Sequence, residues 1–112
     1  MTPERRDAFR ALLQAEAQDL ETAERDTADD RRPVELDQQS VGRLARMDAM
    51  QVQAMATAQS RRRAGRLKRV KAALARFDED EFGFCQGCGE EIAEKRLDLD
   101  PATPLCVSCA SR

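Results

Sequence analysis

The chain has 112 residues, of which 36% are charged and only 4% aromatic, with a net charge of −2 and no His, Trp or Tyr. Four Phe and scattered aliphatic residues cannot fill a wide globular core, so an elongated molecule with a narrow apolar seam is expected. Without histidine the usual general base is missing, and the negative balance excludes a uniformly basic nucleic-acid binder. No residue is therefore assigned a catalytic role.

Residues 3 to about 27 read as a helix. Thr2 is placed as N-cap, and Pro3 suits the first helical position. Phe9, Leu12, Leu13, Ala17, Leu20 and Ala23 recur at steps of three and four and draw one apolar face. Residues 28 to about 37 break this pattern. Pro33 disfavours helix at Arg32. Asp29 and Asp30 enter the loop, and Glu35 and Asp37 leave it. These acids read either as ordinary solvated loop and capping residues or as an acidic tip presented to a partner.

A second, longer helix is expected from about 38 to 80, capped by Asp37 or Ser40. Its stripe is Val41, Leu44, Ala45, Val52, Met55, Leu67, Val70, Leu74 and Phe77. About forty residues at 1.5 Å each make a rod of roughly 60 Å. Two amphipathic helices joined by a short loop fold back as an antiparallel hairpin. A basic run from Arg61 to Arg76 lies on the second helix. It is either a solvated face with ion pairs or a contact for nucleic acid or an acidic protein, and without an aromatic residue it is not a base-stacking platform.

The last quarter carries the chemistry. Cys85-Gln86-Gly87-Cys88 and Cys106-Val107-Ser108-Cys109 are two C-x-x-C pairs, the spacing of a four-thiolate tetrahedral zinc site. Such a site is closed to water and substrate, so one structural Zn2+ held by Cys85, Cys88, Cys106 and Cys109 is expected. The same thiols also suit iron or a switch that releases zinc on oxidation. Phe82, Phe84, Ile92, Leu97, Leu99 and Leu105 are expected around the metal, a core too small to fold alone. Residues 81–112 hold six acids against three bases, which argues against sequence-specific DNA binding by this finger.

The fold class is thus mainly α: a helical hairpin, or coiled coil, over 1–79 and a C4 zinc finger over 80–112. No apolar run spans a bilayer and no signal-peptide core stands near the start, so no membrane partner and a cytoplasmic location are expected.

The finger resembles the DksA/TraR family of bacterial transcription regulators. The resemblance is carried by Asp78 to Gly89, Glu91-Ile92, Arg96-Leu97, Pro101 and Leu105 to Cys109. It implies a protein that binds RNA polymerase rather than DNA, with the coiled coil entering the secondary channel and an acidic tip near the active site. The family's tip pattern is D-x-x-D-x-A, whereas Asp26-Thr27-Ala28-Asp29-Asp30-Arg31 ends in arginine. The tip's activity is therefore not assigned to a residue, and Asp29, Asp30, Glu35 and Asp37 stand as candidates for partner contact. Members that respond to ppGpp carry basic residues where this chain has Asp100 and Ala110, which argues against that ligand. The alternative function on the same fold is a polymerase-independent adaptor or a redox-responsive zinc protein.

Overall fold

The structure is a computed structural model and describes residues 1–31 and 42–112. Helix α1 spans Pro3–Asp26, a single 3-10 turn spans Ala28–Arg31, and helix α2 spans Arg43–Asp78. Two short helices follow in the finger, α3 at Glu94–Leu99 and α4 at Val107–Ala110. Among the described residues the one β pairing is an isolated bridge between Phe84 and Glu91. The molecule is a rod, 64 × 30 × 20 Å, with the finger at one end.

Local chemistry sets the helix ends. The Thr2 hydroxyl accepts the Arg5 N–H at 3.1 Å, and Pro3 stands in the first turn. Helix α2 begins at Arg43, later than the expected start near 38, because Gly42 is its extended N-cap (φ −68°, ψ 161°). Asp37 and Ser40, the expected caps, lie outside the described residues. At its other end Asp80 adopts φ 57° and closes the helix. The Glu81 N–H reaches the Arg76 carbonyl at 2.8 Å and the Asp80 N–H reaches the Phe77 carbonyl at 3.3 Å, the paired bonds of a left-handed C-terminal cap.

The apolar core lies where the rod meets the finger. Phe9 and Leu13 of α1, Val70, Ala73 and Phe77 of α2, and Phe82, Cys85, Ile92, Leu97 and Ala102 of the finger form one buried cluster. Phe82 stacks on Phe77 with centroids 4.0 Å apart and lies 5.9 Å from Phe9. Arg6 and Arg10 cover the outer face of Phe77, and they pair with Asp80 at 3.0 Å and Asp78 at 3.1 Å.

Farther along the rod the seam changes character. The less exposed positions of α2 step by three and four from Arg46 through Ala49, Gln53, Ala56, Ser60, Arg63, Leu67, Val70 and Leu74 to Phe77, a heptad rhythm. Only the last four are large apolar residues. The outer half is small or polar, and Glu24 of α1 closes it by accepting Ser60 Oγ at 2.7 Å and Arg63 Nε at 2.6 Å. Leu44, Val52 and Met55, placed on the expected stripe, are 77%, 65% and 64% exposed, and Leu12 of α1 is 60% exposed. Their neighbours at heptad positions take the seam instead.

Candidate metal centre

The first C-x-x-C pair sits on a tight knuckle. The Cys85 N–H donates to the Glu90 carbonyl at 2.7 Å, the Gly89 N–H to the Cys85 carbonyl at 2.8 Å, and the Ile92 N–H to the Gly83 carbonyl at 2.7 Å. Gly83 and Gly89 turn the chain at φ 90° and 79°, where a side chain would be strained. Gly87 has a different task. A Cβ there would lie 3.2 Å from Cys109 Sγ and 3.3 Å from Leu105 Cδ2, so its missing side chain lets the two knuckles close on each other.

The second pair is delivered by α4. Cys106 is its N-cap, and its sulfur accepts the Cys109 N–H at 3.5 Å. The approach to it is held by Arg96, whose Nε donates to the Leu105 carbonyl at 2.8 Å. The Gln86 N–H ties the two knuckles together by donating to the Pro104 carbonyl at 2.8 Å. This positioning role of Arg96 was not among the sequence expectations, although Arg96-Leu97 is one of the stretches that carry the family resemblance.

All four sulfurs lie within 4.8 Å of one another. Cys88 Sγ and Cys106 Sγ are 3.8 Å apart. Four sulfurs about 2.3 Å from a tetrahedral zinc ion would be separated by about 3.8 Å, so the donor set and its spacing fit the ion. The Cys85 thiol is held below the usual thiol range, chiefly by the backbone N–H of Cys106, with those of Cys88 and Gly87 adding to it. Cys109 is pushed up, because Cys106, Cys85 and Cys88 crowd it with sulfur. A divalent cation at the centre of the four sulfurs would favour all of them as thiolates. Cys85 is buried, Cys106 and Cys109 are half-buried, and Cys88 is exposed.

The finger's surroundings correct two expectations. Phe84 is 41% exposed and Leu99 89% exposed, so neither belongs to the metal-proximal core. Phe84 gives its backbone to the bridge with Glu91 and leaves its ring outside, and Leu99 ends α3. Ala102 takes a buried place beside Leu97.

Residues 80–112 match the family model for the prokaryotic dksA/traR C4-type zinc finger. In this finger the chain is similar to DksA proteins. It is 44% identical over 43 residues to the RNA polymerase-binding transcription factor DksA of Haemophilus influenzae, a stretch covering 38% of this chain and 30% of that one. With the protein of the same name from Escherichia coli K12 it shares 35% over 43 residues, 38% of this chain and 28% of the relative. The matched stretch therefore spans under a third of either relative. The solved structure of transcription factor DksA2 from Pseudomonas aeruginosa superposes with a TM-score of 0.78 and 25% identity, over 100% of this chain and 84% of that one. The mainly helical fold with a C-terminal four-cysteine cluster, and a structural Zn2+ as cofactor, follow from the cysteine geometry and these likenesses together. When bound, the ion supplies cross-linking of the two knuckles.

The candidate tip is only partly within view. Asp29 is exposed in the 3-10 turn beyond α1, and the backbone of Asp30 follows it in that turn. Glu35 and Asp37 lie outside the described residues. Arg31 is turned back on the rod: its NH1 donates to Thr27 Oγ1 at 3.0 Å and its NH2 to the Glu24 carbonyl at 3.2 Å. Among the described residues no helix is long and apolar enough to cross a membrane.

Proposed function

We propose that this protein binds RNA polymerase directly and modulates transcription without catalysis, its hairpin entering the secondary channel. The observation that supports this most is the joining of a C4 finger to a rod whose 36-residue helix α2 runs far beyond the shared core. The likeness to DksA2 over the whole chain adds to it. In this reading the hairpin, 1–79, is the arm and the finger, 80–112, is its brace. Cys85, Cys88, Cys106 and Cys109 hold the ion. Asp29, Asp30, Glu35 and Asp37 are the residues through which the far end meets its partner. In this reading the protein works in the cytoplasm and reads no DNA sequence, and a response to ppGpp is disfavoured by Asp100 and Ala110, which stand where ppGpp-responsive members are basic.

The test is binding of the zinc-loaded protein to core RNA polymerase, with a known secondary-channel binder as competitor. Saturable binding that the competitor abolishes supports the reading. Absence of binding at micromolar concentration overturns it, and binding that survives competition moves the contact to another polymerase surface.

A further inference from the structure

The outer half of α2 departs from the rest of the rod. From Met47 to Ser60 the only charged residue is Asp48, in a chain of which 36% is charged. Among the described residues ten large apolar side chains are exposed, and five of them, Leu44, Met47, Met50, Val52 and Met55, stand close together here. The three methionines are all that the chain has beyond Met1. Thioether side chains mould themselves to an irregular neighbour, so this concentration suits a contact surface.

The apolar residues do not serve the seam. Arg46, Ala49, Gln53, Ala56 and Ser60 take the less exposed positions there. Leu44, Asp48, Gln51, Met55, Ala58 and Arg62 step by four and three as a second heptad row, about 150° around the helix from the first. Met47 and Val52 flank that row on its two sides. A solvent-facing helix is ordinarily polar, and a contiguous apolar strip on a charged rod marks an interaction face.

The charges at its ends select the partner. Asp48 lies about 10 Å before Met55 along the helix, and Arg61 and Arg62 lie about 10 Å after it. Among the described residues no hydrogen bond or ion pair engages these three. A two-fold axis through Met55 sets the Asp48 of each copy against Arg61 and Arg62 of an antiparallel second copy, so the attraction occurs twice. A parallel copy would set Asp48 on Asp48 and arginine on arginine. The antiparallel arrangement also keeps the bulky fingers apart, because each follows Asp78, about 35 Å from Met55, on opposite sides of the axis.

We propose that this face of α2, from Leu44 to Arg62 and centred on Met55, docks a second copy of the chain in antiparallel register. The contact runs along about 27 Å of helix and covers a few hundred Å² on each copy, at roughly the weak end of specific interfaces. A reversible dimer with a dissociation constant of about tens of micromolar is therefore expected. RNA polymerase plays no part in this contact.

Sedimentation equilibrium of the zinc-loaded full chain, reduced and at concentrations from about 1 to 500 µM, tests it. The native chain is expected to pass from monomer to dimer across this range. Met55→Glu sets two like charges on the axis and is expected to weaken association at least about tenfold, with the melting temperature of the dilute protein unchanged because the side chain is exposed. Asp48→Arg alone is expected to weaken it as well, and Asp48→Arg/Arg62→Asp to restore it to within about threefold of native. A native chain that stays monomeric to the top of the range overturns the proposal. A dimer that Met55→Glu leaves intact overturns the face, and a charge swap that fails to restore association overturns the antiparallel register.

Discussion

Arg66 NH1 lies 2.7 Å from Asp100 Oδ1, and this contact fastens the finger to the rod. The same guanidinium grips Glu16 of α1 with two bonds, 2.6 Å from Nε and 3.0 Å from NH2, so one side chain of α2 joins three parts of the fold. Asp100 in turn accepts the Ala102 N–H at 3.1 Å and shapes the turn that leads to the second knuckle. Arg66 is held firmly charged, first by its hydrogen bond to Glu16 and then by Asp100, against a burial that opposes the charge.

Replacing Arg66 by Met leaves two carboxylates without their shared partner. The cost expected is about 1–2 kcal/mol, below the figure for fully buried charged hydrogen bonds because Glu16 and Asp100 remain partly solvated. Arg66→Lys keeps the charge and loses the fork, so it falls between the two. Urea unfolding of the zinc-loaded proteins checks the order; equal stability of all three would show that the clamp contributes nothing.

Acid should weaken the rod in a defined window. The Glu24 carboxyl is held below its ordinary value by the Ser60 hydrogen bond first, then by Arg63 and the charges around it. Burial pushes Asp100 up, but the Arg66 hydrogen bond, the Ala102 N–H and the nearby arginine charges together bring it below its ordinary value. A depressed folded-state pKa stabilises above the unfolded value, about 3.9 for Asp and 4.3 for Glu, and that stability is lost as pH falls through the folded values. Melting temperature is thus expected to hold down to about pH 5 and fall below about pH 4. Protonation of the zinc thiolates adds its own acid loss, so the diagnostic is Glu24→Gln, far from the metal: it lowers stability at pH 7 and shallows the decline. An unaltered acid limb in this variant would remove Glu24 from the account.

Removing zinc should disturb the hairpin as well as the finger. Phe82, Cys85, Ile92 and Leu97 share a core with Phe9, Leu13, Val70 and Phe77, so loss of the knuckles exposes the base of both helices. Chelation or Cys88→Ser is expected to lower helical circular dichroism and the melting temperature together. A melt unchanged by metal removal would mean that the finger does not support the rod.

Gly87→Ala tests how the two knuckles meet. The new methyl would crowd Cys109 Sγ and Leu105, whose places are fixed by α4 and the shared core. Zinc affinity, measured by competition with a chromogenic chelator, is expected to fall about 10–100-fold, the range for disturbed supports of a metal ligand. Native affinity in this variant would show that the knuckles yield without cost.

The four cysteines were legible because ligand chemistry is local: a two-residue gap by itself allows two sulfurs to share an ion, and no folded context is needed to see it. The hairpin was legible for a similar reason, since helix-forming segments with a polar break between them have few ways to bury an apolar stripe. Which residues enter the seam was not. Apolarity pointed to Leu44, Val52 and Met55, yet the structure turns them outward and brings Gln53, Ser60 and Arg63 inward. The register of α2 is set at its base, where Val70, Leu74 and Phe77 pack into the core shared with α1 and the finger; the heptad then carries that register outward regardless of residue type. The basic run divided in the same way. Composition alone makes Arg62 and Arg63 equivalent, but one turns to Glu24 and the other to solvent, and only the packing of α1 on α2 decides between them. Sequence by itself determined the metal chemistry and the helical class, because both depend on neighbours along the chain. The seam, the clamp at Arg66 and the division of the basic run depend on neighbours across it, and only the tertiary structure decided them.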